Sequence, residues 1–88
     1  MYCLVNIDFY GSDEELKKLD ESYKAAADNV EGVEYVGRFS PNQIKWHWTY
    51  FFKTESLAKM DDCWQSWKYE RDRNKWTHGI VEYYYGPM

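Results

Sequence analysis

Two histidines, a strand asparagine and a strand aspartate are the side chains in this chain best suited to chemistry. His47 stands between Trp46 and Trp48, on the strand face it shares with Lys45 and Thr49. An imidazole there is either a base or axial ligand near neutral pH or a half-exposed strand histidine. His78 lies just before the last β-rich run, either as a polar contact for a ligand or as a cation meeting the dipole at a helix C-terminus. Asn6 and Asp8 interrupt a face that otherwise carries Tyr2, Leu4 and Tyr10, so they either face solvent or line a polar spot in a pocket. The candidate catalytic contacts are therefore Asn6, His47 and His78. Asp8, Trp46, Trp48, Trp64, Trp67 and Tyr84 are the candidate ligand-binding residues.

Several chemistries find no support. There is no Gly-rich phosphate loop, no nucleophile elbow and no HExxH, so hydrolase and kinase readings are not carried. Cys3 and Cys63 lie far apart with no CxxC pair and no zinc spacing, which reads as two buried reduced thiols and no metal. No particular cofactor is indicated. The stretch KYERDRNKW interleaves Lys68, Arg71, Arg73 and Lys75 with Glu70 and Asp72, the pattern of a solvated helix face with local ion pairs. Tyr83, Tyr84 and Tyr85 must alternate across a strand, so at least one hydroxyl reaches a cleft or a subunit seam.

The elements that position these residues follow from spacing. Residues 1–10 alternate, with Met1, Cys3, Val5, Ile7 and Phe9 on one face. Ser12 with Glu15 has the form of a capping box, and Asp13, Glu14 and Glu15 suit a helix N-terminus. Leu16, Leu19, Tyr23, Ala26 or Ala27 and Val30 recur at helical spacing until Glu31 and Gly32. Residues 33–40 form a second strand, SPNQ turns the chain, and residues 44–53 form a third with Ile44, Trp46, Trp48, Tyr50 and Phe52 on one face. Ser56 caps a second helix with Leu57, Met60, Trp64 and Trp67 on a common face, ending between Asn74 and Gly79. Residues 80–85 close the order β-α-β-β-α-β.

With 88 residues and no repeat or linker, the chain is one domain spanning 1–88. Its order predicts a ferredoxin-like α+β sandwich, an antiparallel four-stranded sheet with both helices on one face. Aromatic residues reach 20%, and every strand carries large apolar side chains on both faces, so the face without helices needs a cover. A second copy of the chain or a stacked ligand would supply it. The net charge is −4. Residues 1–35 carry nine acids and three lysines (−6), and residues 36–88 carry eight bases and six acids (+2), so the acidity sits mainly in the first helix. That balance disfavours a phosphate backbone. The RNA-recognition fold shares this element order, but Trp46 and Trp48 occupy its strand-three glycine places and His47 and Thr49 its stacking places. No nucleic-acid or membrane partner is expected. The N-terminal run alternates like a strand and has no basic leader, which points to the cytoplasm.

The length, the element order, the segment GVEYVGRF entering strand two and the run FFKTES leading into a Trp-bearing helix resemble the dimeric α+β barrel superfamily. This group includes antibiotic-biosynthesis-type and haem-degrading monooxygenases, muconolactone isomerase-like enzymes and effector-binding domains of transcription regulators. The resemblance implies a homodimer of facing sheets, with a pocket between sheet and helices for a small apolar or aromatic ligand. In the monooxygenases an Asn on the first strand works with a Trp and a His from the later helix region. Asn6 takes the first place, while Trp64 or Trp67 and His78 would supply the others, both Trp residues falling about a turn late. The resemblance implies monooxygenase- or isomerase-like chemistry; a non-catalytic ligand sensor or interaction module is the alternative.

Overall fold

The computed structural model describes residues 1–40, 47–77 and 82–86, with Trp67 and Lys68 described in their backbone only. Four strands, β1 (Tyr2–Ile7), β2 (Val33–Phe39), β3 (Trp48–Thr54) and β4 (Glu82–Gly86), form one sheet. Their order is β2-β3-β1-β4, with each neighbouring pair antiparallel. Three helices accompany it: α1 (Asp13–Asp28), α2 (Leu57–Trp64) and α3 (Trp67–Trp76). This is the ferredoxin-like α+β arrangement expected from the sequence, with the second helix divided in two.

Strand alternation sorts the sheet. Cys3, Val5 and Ile7 of β1 and Tyr50, Phe52 and Thr54 of β3 are buried under the helices, together with Leu16, Leu19, Tyr23, Ala26 and Ala27 of α1. The register sets Val5 opposite Tyr50 and Cys3 opposite Phe52 on that face. On the other face it sets Leu4 opposite Phe51 and Asn6 opposite Thr49.

α1 begins as its sequence predicts. The Ser12 hydroxyl accepts from the Glu15 amide at 3.2 Å, and the Glu15 carboxylate accepts from the Ser12 amide at 3.0 Å. The other Glu15 oxygen accepts from the Trp76 indole at 2.6 Å, so the start of α1 is tied to the end of α3. After α1, Gly32 takes φ 90°, and a Cβ there would sit 2.7 Å from the Glu55 carboxyl group, so both backbone and space demand glycine.

Two elements differ from the expected boundaries. β1 stops at Ile7: Phe9 makes an isolated bridge to Thr77, and the Tyr10 amide donates to the Trp76 carbonyl at 2.9 Å. The helix after Ser56 breaks at Gln65 and Ser66, because the Ser66 hydroxyl accepts from the Tyr69 amide and starts α3 afresh. Trp46 and His78, and the strand segment from Ile44, lie outside the described residues.

The backbone amide of Ser12 foremost, and then the Trp76 indole, hold the Glu15 carboxyl below its ordinary value of 4.5. A depressed carboxyl stabilises the fold above its unfolded value, and that contribution disappears as pH falls through the folded value. Glu15→Gln should therefore lower the melting temperature at neutral pH and flatten its decline on acidification, measured by thermal melts from about pH 7 to about pH 3. A variant that melts like the parent throughout would contradict this role.

Candidate functional site

The layer between sheet and helices is packed by aromatic rings. Tyr23 stacks on Tyr50 with centroids 3.9 Å apart and meets Tyr69 edge-on at 4.9 Å. Trp64 packs on Phe52 at 5.6 Å, Tyr69 at 4.9 Å and Tyr83 at 5.1 Å, and its indole donates to the Tyr85 hydroxyl at 3.2 Å. The strand-three and helix aromatics expected to wall a pocket thus fill this layer by contacting one another. Trp48 lies on the same side beneath the Arg38 guanidinium, 4.1 Å from its ring centroid. Arg38 in turn donates to Asp20 at 2.8 Å, and Asp20 also accepts from the Tyr50 hydroxyl at 2.5 Å.

Burial makes this layer chemically quiet. It pushes the Cys3 thiol up to about 12 and the Cys63 thiol up to about 11, so neither forms a thiolate near neutral pH. Burial likewise pushes the Tyr35 phenol up to about 12. The Tyr69 and Tyr83 hydroxyls meet at 2.5 Å, with Arg73 donating to Tyr83 at 3.3 Å. The Tyr23 hydroxyl is buried beside them without a hydrogen bond among the described residues. Because an unpaired buried hydroxyl costs free energy, Tyr23→Phe should be neutral or stabilising by up to about 1 kcal/mol in chemical denaturation. A loss of that size would mean the hydroxyl has a partner in solution.

The open face of the sheet is different in kind. Tyr2, Leu4, Phe51 and Tyr84 line a shallow apolar groove of about 310 Å³ together with Tyr85 and Gly86. Tyr2 is 39% exposed, Phe39 51% and Tyr84 52%. Moving along β1 toward its C-terminal end, this face turns polar. The Thr49 hydroxyl donates to Asn6 Oδ1 at 2.6 Å. Beyond it, Asp8 Oδ1 lies 2.9 Å from His47 Nδ1, and Asp8 Oδ2 accepts from the Tyr10 hydroxyl at 2.9 Å. The Phe9 amide also donates to His47 Nδ1 at 2.9 Å. His47 borders a second hollow of about 320 Å³, shared with Trp48 and the start of α1.

Of the residues singled out from the sequence, Asp8 and His47 come together just beyond the end of β1, Asn6 meets Thr49 on the open face, and Tyr84 stands beside Leu4 on that same face. Trp48 and Trp64 sit on the helix side. Trp67 opens α3, its side chain outside the described residues. The sequence reading passed over Thr49, Tyr10 and the Phe9 amide as partners of the candidate residues. Alternation alone puts Thr49 on a face, but only the β1–β3 register shows that it meets Asn6. Among the described residues no group of three or more His, Cys, Asp or Glu side chains is arranged to hold a metal ion. No described helix is long and apolar enough to cross a membrane.

No family model matches the chain, and no curated protein matches it. Solved structures do. At3g17210 of Arabidopsis thaliana is similar over 99% of this chain and 95% of its own, with 11% identity and a TM-score of 0.70. Rv0793 of Mycobacterium tuberculosis is similar over 100% of this chain and 96% of its own, with 14% identity and a TM-score of 0.63. A Bacteroides fragilis protein, described as dimeric, of unknown function and of ferredoxin-like fold, is similar over 94% of this chain and 92% of its own, with 11% identity and a TM-score of 0.53. At these identities the likeness is one of fold, and it agrees with the ferredoxin-like sheet seen here.

Proposed function

We propose that two copies of this chain pair through their open sheet faces and hold between them a small, largely apolar or aromatic molecule. The observation that carries this reading is the apolar groove beside the exposed rings of Tyr2, Phe39 and Tyr84, on a face that no helix covers. A soluble monomer seldom leaves such a contiguous patch to water, and a second copy covers it by symmetry. The description of the Bacteroides fragilis neighbour as dimeric supports the same arrangement. A groove of about 310 Å³ is at the lower end of ligand-site volumes. The packing of Trp64 with Tyr69 and Phe52 favours this face over the sheet–helix layer as the place for the ligand.

Asn6, Asp8 and His47 then serve as the candidate polar contacts of this reading, and His78, which lies outside the described residues, remains a candidate from the sequence alone. If the molecule is transformed, isomerase-type or oxygen-dependent chemistry on it is the version to test. The non-catalytic alternative, a ligand sensor, uses the same groove. The two free, buried thiols fit a reducing, cytoplasmic setting, and the net charge of −4 argues against nucleic acid as a partner.

Light scattering on a sizing column should give a molar mass near twice 10.7 kDa, persisting on dilution. Tyr84→Arg and Phe39→Arg, both at exposed positions, should shift the mass to the monomer while preserving the helical circular dichroism. A monomeric parent protein would overturn the pairing. Replacing Asn6, His47 and His78 singly by Ala separates enzyme from sensor. Unchanged ligand turnover in all three folded variants would remove the catalytic version.

A further inference from the structure

His47 stands where three parts of the chain meet. Its amide donates to the Ile7 carbonyl at 3.0 Å, at the end of β1. Its ring nitrogen Nδ1 accepts from the Phe9 amide at 2.9 Å, two residues further on. Phe9 in turn bridges Thr77, and the Tyr10 amide donates to the Trp76 carbonyl at 2.9 Å, so the same short segment is tied to the end of α3. The imidazole therefore closes a seam between the approach to β3, the exit from β1 and the end of α3. Phe9 is 8% exposed and packs in the core, whereas the His47 side chain is 50% exposed. Protons from solvent thus reach a ring that holds a core residue in place.

Nδ1 has two neighbours with opposite demands. The Phe9 amide is a donor and needs the nitrogen's lone pair. Asp8 Oδ1, 2.9 Å away, is an acceptor and needs a proton there. A ring nitrogen offers either a lone pair or a proton in its plane, so it serves one neighbour at a time. In the neutral ring with its proton on Nε2, Nδ1 accepts from Phe9. Asp8 then keeps the bond from the Tyr10 hydroxyl to its other oxygen, at 2.9 Å. In the charged ring both nitrogens carry protons, Nδ1 donates to Asp8, and the Phe9 amide loses its acceptor. Histidine is the side chain whose charge ordinarily changes between about pH 5 and 8, so the two states lie within reach of physiological conditions.

The other charged and titratable groups about the ring, among the described residues, come from each element packed around it. Tyr10 meets the imidazole edge-on at 5.7 Å. Asp13, at the start of α1, lines the hollow that His47 borders. Glu15 of α1 is engaged by Ser12 and Trp76, and Lys75 of α3 lies over the Trp76 ring. Arg38 of β2 lies over the Trp48 ring and is paired with Asp20. We propose that His47 is a pH-sensitive latch on the exit of β1. The neutral ring holds the Phe9 amide; one proton taken up from water on Nδ1 transfers that nitrogen from Phe9 to Asp8 and loosens the seam between β1 and α3. The β1–β3 pairing, which runs from Tyr2 to Ile7, is kept in both states, so the change is local. This device stands apart from the pairing of sheets and from any ligand.

Proton–nitrogen NMR of the whole chain across pH tests it, with the titration of the His47 ring itself as the internal reference. In the neutral ring the proton should sit on Nε2, and the Phe9 amide should be protected from hydrogen exchange. As the ring charges, the Phe9 protection factor should fall about tenfold, the worth of one hydrogen bond, with the Tyr10 amide following and the amides in the middle of β1 unchanged. Asp8→Asn keeps the shape but removes the charge that holds the second state, and should move the loss of Phe9 protection to lower pH by about half a unit. A proton on Nδ1 in the neutral ring would overturn the latch. So would a Phe9 protection factor that ignores the charge on His47, or an Asp8→Asn variant with the profile of the parent.

Discussion

The alternation of β1 is the constraint on which the rest of the structure depends. β1 is one of the two central strands, with β3 on one edge and β4 on the other. Its odd-numbered side chains, Cys3, Val5 and Ile7, are completely buried under the helices. Its even-numbered side chains, Tyr2, Leu4 and Asn6, form the centre line of the open face. A slip of one residue would exchange these sets, placing Asn6 in the aromatic layer and Val5 in water. The burial of three apolar side chains therefore specifies where the candidate polar contacts stand.

The helix side reinforces that register. Tyr23 of α1 stacks on Tyr50 of β3, directly opposite Val5, and touches Tyr69 of α3, so one ring links both helical elements to the sheet. Glu15 closes the far end by accepting from Trp76 while it caps its own helix. A domain of 88 residues buries only about 60 to 65% of its unfolded surface, which leaves a narrow stability margin. Large aromatic rings suit that situation, because each buries more area per residue ordered than an aliphatic side chain does. Their density also leaves little room for a ligand between sheet and helices.

Much of this was legible in the sequence. Period-two runs revealed the strands and their two faces, and Ser12 with Glu15 marked the first helix. The apolar open face followed from apolar residues on both sides of the strands. The division of the second helix was not legible, since Trp64 and Trp67 keep helical spacing across a break made by the Ser66 hydroxyl. Trp64 was ambiguous for a related reason: spacing places it on an inward face but does not say whether that face meets rings or an empty pocket. The pairing of Asp8 with His47 joins residues far apart in the sequence, just beyond the ends of β1 and β3, and only the folded chain brings them together.

That register also explains why the open face is graded. Along β1, each step of two residues advances about 7 Å, so Tyr2, Leu4 and Asn6 carry the face from apolar to polar. β3 follows the same gradient from Phe51 to Thr49. A uniformly apolar face would favour tight closure of two sheets with nothing between them. A face that is apolar at one end and hydrogen-bonding at the other requires its polar groups to be satisfied, by water at an open rim or by a ligand within. The local bonds from Thr49 to Asn6 and from Tyr10 to Asp8 satisfy part of that need. The gradient therefore sets what any cover of this face must match, apolar surface at one end and hydrogen-bonding groups at the other.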